Sequence, residues 1–333
     1  WYGIGFPAIL NDASFEPRKL GLDSTGSQFM VRTAITGHGQ NGEFIPRWHW
    51  MNLDGGQQED RWQAWSECSE IPVYPQGGTW LYDRAGWCPG SPTDVRRLEL
   101  TGMVNPGDSI PLDNGMDVVS NTADADYRVA SQLVTYGPTN HSLDAAILEV
   151  QRPSRRVEFA RINPACNEPI VVIQNTGSTP LTSLTLNYSV RGGNVETFQW
   201  SGNLEFLETA EVVLPVSNPN FWQTSSNEQI FDVSLSAPNG GTDQYPNNNS
   251  YASEFEAWDQ YQGGVGLKWR TNNFPQETKW EVLDETGAIV LQSGPFLVAN
   301  TDYTEDFNLP AGCYTLMITD YGDYVLYYCA QSN

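Results

Sequence analysis

The sequence predicts an all-β protein, a jelly-roll sandwich followed by two smaller, immunoglobulin-like β-sandwiches. Three observations carry this. Apolar stretches are short, alternate with polar residues and are rich in β-branched and aromatic types, the pattern of half-buried strands. Thirty Gly and twenty-one Pro, many beside Asn, Asp or Ser, punctuate the chain at strand-length intervals. No stretch shows the 3.6-residue apolar period of an amphipathic helix.

Taken in order, Phe29 to Thr36 is the first clear strand, and Gly37 to Gly42 breaks it. Glu43 to Leu53 resumes the alternation, with Phe44, Trp48, Trp50 and Leu53 set among Arg47 and His49. Arg61 to Trp65, Val95 to Leu100, Val129 to Tyr136 and Ala145 to Val150 complete a first domain at residues 1–155. The Pro/Arg-rich stretch 151–165 reads as a linker. A second domain at 160–218 holds a buried-type strand at 169–174, a hairpin turning at Arg191 to Asn194, and a strand at 210–214. Residues 215–229 read as a second joint, and a third sandwich follows at 225–333. The polar insert Asn239 to Ser253 reads as a loop that need not be ordered. No closing element follows Tyr327-Tyr328-Cys329, so the third domain is expected to be cut at Asn333, and Trp1 to be a processed start or the edge of a longer protein.

Forty acidic against seventeen basic residues give a net charge of −23. Such a chain repels nucleic acid and anionic membrane, which excludes both as partners, and it suits a secreted protein. The five cysteines allow two local pairs, Cys68 with Cys88 and Cys313 with Cys329, leaving Cys166 as an expected free buried thiol. Local pairing favours an oxidising, extracellular setting. A metal site on cysteine and histidine is disfavoured, because no C-x-x-C spacing occurs and only three His are present.

The most information-dense stretch is Tyr82 to Gly90, which sets Asp83, Arg84, Trp87 and Cys88 in a loop broken by Gly86, Pro89 and Gly90. Two readings of these residue types stay open: a stapled turn in which Asp83 and Arg84 neutralise each other, and a functional loop. Other segments decide between them. Arg32 to Gly39, the Gly42-Glu43-Phe44 run with Arg47 and His49, Pro72 to Trp80, and Asp83 to Gly90 together resemble the second jelly-roll domain of the peptide-N-glycosidase F family, amidases that release N-glycans from asparagine. The resemblance covers roughly residues 1–150. The remainder is similar to the accessory sandwiches that follow such domains in Bacteroidetes proteins exported by the type IX system.

The resemblance implies site residues. Glu43 falls on a carboxylate of the family's substrate cleft and Arg84 on its cleft arginine, which makes them the catalytic candidates. Trp87, Trp80, His38 and His49 are the substrate-binding candidates, since Trp faces stack on sugar rings. Cys68 and Cys88 match a family disulfide. Two departures stand out. Asn41 and Ile45 occupy positions where the family often has a small disulfide, and the family's principal catalytic aspartate lies on a first jelly roll that would precede Trp1. The expectation is an extracellular protein acting on or binding N-linked glycans, with no catalytic cofactor; the alternative is a non-catalytic glycan-binding or cell-surface structural protein. Its partners are a glycoprotein or glycan, with other cell-surface or secretion-system proteins admitted. Copper at His38 and His49, which a related oxygenase of the same double jelly roll would bring to mind, is disfavoured because no His-x-His pair is present. A structural calcium is allowed at Asp320 and Asp323, with Asp302, Glu305 and Asp306 in reach of the same loop.

Overall fold

A computed structural model describes residues 16–53, 60–69, 71–73, 82–117, 123–163, 168–218, 221–222, 229–256, 264–284, 286–310, 312–320 and 324–329. Chain contacts divide it into two compact units, Trp1–Ile71 with Gln76–Pro138, and Pro72–Pro75 with Thr139–Asn333. Both are built of antiparallel strands, and the chain is all-β as its alternation predicts.

Among its described residues the first unit has strands β1 (Arg18–Gly21), β2 (Gln28–His38), β3 (Arg47–Asn52), β4 (Asp60–Ala64), β5 (Val95–Glu99), β6 (Ser109–Met116) and β7 (Asp126–Tyr136). A single helical turn, α1 (Gln40–Glu43), lies between β2 and β3. The strands form two sheets, ordered β1-β6-β3-β4 and β5-β2-β7. β2 pairs with β7 along its whole length, from Gln28 opposite Tyr136 to His38 opposite Asp126. Its odd-numbered residues Phe29, Val31, Thr33 and Ile35 are buried, one face of a period-2 strand. Phe29 and Val31 share an apolar cluster with Met51 and Leu112 of the other sheet, and Ile35 shares a second with Met116, which makes a sandwich. Each fully buried side chain of this kind stabilises by roughly 1.5–3 kcal/mol.

In the second unit, β8 (Ala145–Arg152), β9 (Ile170–Asn175), β10 (Leu181–Val190), β11 (Glu196–Leu204), β12 (Thr209–Val213), β13 (Ile230–Ser236) and β14 (Ser250–Glu254) form sheets β12-β9-β8 and β11-β10-β13-β14 around one core. Two boundaries differ from the sequence reading. The strand at 145–152, assigned there to the first domain, pairs with β9 and buries Ala145, Ile147 and Val150 in the second core. The sheet also runs across the expected joint at 215–229: β13 sits opposite β10, Val233 against Tyr188 and Leu235 against Leu186. The reason is register. Phe231, Val233 and Leu235 share one face, and the apolar face of β10 covers it. The insert at 239–253 is likewise structured, with short turns at Pro238–Gly240 and Pro246–Asn248 and strand β14.

Residues beyond 264 supply β15 (Val265–Arg270), β16 (Thr278–Asp284), β17 (Ile289–Ser293), β18 (Asp302–Phe307), β19 (Tyr314–Asp320) and β20 (Tyr324–Cys329), in sheets β15-β18 and β17-β16-β19-β20. Their core centres on Trp280, Val282 and Phe296, with Trp269 stacked on Tyr303 at 5.3 Å. No helix among the described residues is long and apolar enough to cross a membrane.

Candidate functional site

The candidate site lies in the first unit, where the end of β2, the turn α1 and the loop from Tyr82 to Cys88 meet. Glu43 closes α1, its N–H donating to Gly39 O at 2.8 Å. The alternation placed Glu43 at the start of a strand, but β3 begins only at Arg47. The 82–88 loop is held by backbone bonds on both sides. Ala85 N donates to Glu43 O at 2.9 Å, Gly37 N to Ala85 O at 3.0 Å, and Ser66 and Arg84 exchange two bonds. This packing needs glycine at position 86, whose φ is +73° and where a Cβ would meet Ile35 O at 2.0 Å.

The Cys68–Cys88 disulfide closes the loop, with Cα atoms 5.3 Å apart. Asp83 turns toward it and accepts Cys68 N at 3.0 Å. Burial pushes the Asp83 pKa up and the nearby Glu67 charge adds to this, against hydrogen bonds from Cys68 and Trp65. Asp83 is therefore a brace of the loop and is not the partner of Arg84, as the stapled-turn reading would have it.

Arg84 pairs with Glu43 instead. Its Nε donates to Glu43 Oε1 at 2.7 Å and its Nη1 to Tyr82 O at 2.9 Å. The Arg84 side chain is 3% exposed and that of Glu43 17%. A guanidinium fixed inside the protein thus holds a carboxylate that water still touches. Aromatic rings surround the pair. The guanidinium carbon lies 5.2 Å from the Trp87 ring centre and 5.4 Å from that of Phe44. Tyr82 packs edge-on to Phe44 at 6.0 Å. Trp87 is locked by its Nε1, which donates to Gly37 O at 3.1 Å. His38 lies 5.8 Å from Trp87, and its Nε2 is 2.9 Å from Thr36 Oγ1. A water-touched carboxylate, held by the buried cation, and half-exposed ring faces can together bind a sugar's hydroxyls and its apolar face.

Not every sequence candidate joins this group. Glu43, Arg84, Trp87 and His38 come together. His49 does not: it points into the sandwich at 2% exposure, packed 5.2 Å from Tyr127 and 6.1 Å from Trp62, where no ligand reaches it. Burial there depresses its pKa to about 3, although the Asp117 charge works against this and that of Arg47 adds to it. Trp80, Asp323 and Cys166 lie outside the described residues, as does the side chain of Asp320. Among the described residues no three His, Cys, Asp or Glu side chains gather as a metal site. Phe44 and Tyr82 were missed as site residues. Each adjoins an expected position in sequence, Phe44 after Glu43 and Tyr82 before Asp83, and that adjacency was the available signal.

Comparison with known proteins falls on this same region. Residues 6–134 match the family described as peptide-N-glycosidase F, C terminal. This stretch is thus similar to the C-terminal part of peptide-N-glycosidase F. Among solved structures, the chain is similar to PNGase F, a glycosylasparaginase from Flavobacterium meningosepticum, at 24% identity with a TM-score of 0.33, over 36% of this chain and 42% of that one. A peptide-N(4)-(N-acetyl-beta-D-glucosaminyl) asparagine amidase aligns at 22% identity with a TM-score of 0.32, over 36% of this chain and 43% of that one. PNGF-II aligns at 19% identity with a TM-score of 0.29, over 36% of this chain and 24% of that one. The chain thus spans less than half the length of each of these structures. No curated protein matches it.

Proposed function

We propose that the first unit recognises N-linked glycans at the Glu43–Arg84 pair, and that within a protein supplying a further carboxylate the pair serves hydrolysis of the glycosyl-asparagine amide. One observation carries this reading: a water-touched carboxylate is held on a 3%-exposed guanidinium side chain and ringed by Phe44, Tyr82, Trp87 and His38. The family match over residues 6–134 supports it.

In that reaction, water oxygen bonds to the amide carbon and the C–N bond breaks. The nitrogen leaves with the sugar as a glycosylamine, and asparagine becomes aspartate. Arg84, itself buried, is suited to holding the Glu43 carboxylate ionised and in place, and Glu43 to orienting water or a sugar hydroxyl. A second reading, glycan binding without cleavage, is favoured by the pair itself, since Arg84 and Glu43 neutralise each other and leave no free base between them. The Cys68–Cys88 disulfide and the −23 charge support an extracellular site of action. The later sandwiches then serve as accessory modules, of the kind found in proteins exported by the type IX system, facing glycoproteins or other cell-surface proteins.

The test combines binding and cleavage. The chain is titrated with the chitobiose core of an N-glycan and incubated with an N-glycopeptide, whose Asn-to-Asp change is read by mass. Weak binding that Glu43→Gln and Trp87→Ala both abolish, with no release, is the expected result. Release by this chain would show that it carries a full set of catalytic groups. Undetectable binding by the folded protein would sink the glycan reading.

A further inference from the structure

The outer face of the sheet β5-β2-β7, in the first unit, runs against the charge of the chain as a whole. The odd-numbered residues of β2 fill the core, so its even-numbered residues stand on the other side. Residues directly opposite each other in an antiparallel ladder share a face. Arg32 lies opposite Arg97 of β5 and Gln132 of β7, Ala34 opposite Val95 and Ala130, and Thr36 opposite Arg128. Arg97, Arg128, Ala130 and Gln132 are exposed. Three arginines of a chain with seventeen basic residues and a net charge of −23 thus stand on one sheet face.

Arginines elsewhere take carboxylate partners, among them Arg61, Arg96, Arg156, Arg191 and Arg270. Among the described residues, Arg32, Arg97 and Arg128 make no hydrogen bond or ion pair. The acidic side chains of this face do not engage them: Glu99 Oε1 accepts Thr101 N at 3.0 Å, and Asp126, opposite His38, has its Oδ1 buried with no partner. The Nε of Arg32 is likewise buried without an acceptor. Like charges directly opposite each other repel, and a poorly hydrated donor without an acceptor is costly. An anion between the arginines relieves the repulsion and gives the Arg32 charge a partner. The row between them leaves room for one, since Ala34 and Ala130 carry only a methyl group. At about 3.3 Å per residue, a group above that row lies about 7 Å along the strands from the Arg32–Arg97 row on one side and from Arg128 on the other.

We propose that this face takes the carboxylate of an acidic sugar, as an extension of the candidate glycan site along β2. The choice of ligand rests on the glycan reading; the cationic face does not. Arg128 stands opposite Thr36, whose Oγ1 is 2.9 Å from His38 Nε2, and His38 lies 5.8 Å from Trp87. An oligosaccharide leaving the site on the His38 side therefore passes directly onto the arginine face. Guanidinium forks match a planar carboxylate in bidentate fashion, and the Gln132 amide adds a donor beside Arg32. The net charge of −23 repels a polyanion such as nucleic acid, whereas a single carboxylate on an otherwise neutral glycan meets three local cations.

The test titrates the whole chain with a biantennary N-glycan ending in sialic acid and with the same glycan after its sialic acids are removed. The acidic glycan should bind at least about tenfold more tightly. Arg97→Gln with Arg128→Gln changes only exposed side chains; it should abolish that preference and leave the affinity for the neutral glycan within about twofold. Trp87→Ala should weaken both glycans alike. Equal affinity for the two glycans overturns the proposal and leaves the glycan reading standing. A preference for the acidic glycan that survives in the Arg97/Arg128 double variant also overturns it. Binding of the acidic glycan alone, lost in the double variant and indifferent to Trp87→Ala, upholds the arginine face and sinks the Glu43 site. Binding of neither glycan overturns both.

Discussion

Lowering the pH should unfold the first unit through His49. Its ring is 2% exposed between Tyr127 and Trp62, and its Nε2 makes no hydrogen bond. Burial brings its pKa from 6.5 to about 3 in the folded chain. The unfolded chain therefore binds a proton below pH 6.5 that the folded chain refuses until about pH 3. His49 contributes nothing to pH dependence above that window, and stability falls as pH drops through it. The slope inside the window is about 1.4 kcal/mol per pH unit, which gives a loss of about 2 kcal/mol between pH 7 and pH 5. His49→Gln removes the ionising group while keeping a polar side chain. The variant should be less stable than wild type at pH 7, and the gap between them should close by about 2 kcal/mol on going to pH 5. Hydrogen exchange of the β2 and β7 amides reports this unit alone and reads the gap directly. An imidazole that titrates near its ordinary value in the folded protein, or a gap that stays constant with pH, would refute the reasoning.

Three further outcomes follow from the geometry of the loop. Replacing both Cys68 and Cys88 by Ser should cost the first unit about 3 kcal/mol, the chain-entropy value for a closed loop of this length, measured by urea unfolding. Gly86→Ala should cost more than about 2 kcal/mol, because it adds left-handed strain to a backbone clash. It should also shift the Trp87 fluorescence, since that ring is tied to the same β2 terminus. Arg84→Met should destabilise by about 1–3 kcal/mol, less than for a wholly buried pair because Glu43 keeps contact with water. Glycan affinity should disappear with it, and recovery of affinity in Arg84→Met would show that the guanidinium takes no part in binding.

The sequence made the strand content and the 82–90 loop legible for physical reasons. Alternation fixes secondary structure locally, and a loop crowded with Asp83, Arg84, Trp87 and Cys88 between glycines has few neutral explanations. Sheet membership was not legible in the same way. β13 follows a Pro/Asn-rich stretch that reads as a joint, yet its Phe231, Val233 and Leu235 face the apolar side of β10, and local pattern carries no record of that partner. Glu43 was found through its neighbours in sequence. That Arg84, and not Asp83, sits against it depends on the Ser66–Arg84 bridge, which no spacing encodes.

His49 shows where alternation itself misleads. In β3 the apolar rule would turn Trp48 and Trp50 inward and leave Arg47 and His49 in water. The observed parity is the reverse: Arg47 and His49 are buried, and Trp48 is 41% exposed with the Arg61 guanidinium 4.3 Å above its ring. Cross-strand pairing sets this, because His49 lies opposite Met116 and Trp62, whose side chains fill the same interior. Arg47 is then compensated from within, its Nε and Nη2 both donating to Asn41 O, at 3.2 and 2.9 Å. That bond fixes the turn immediately before Glu43. The inverted parity that removes His49 from the site is thus the same arrangement that steadies the carboxylate at its centre, so perturbing the interior of β3 should be felt at Glu43 as well as in stability.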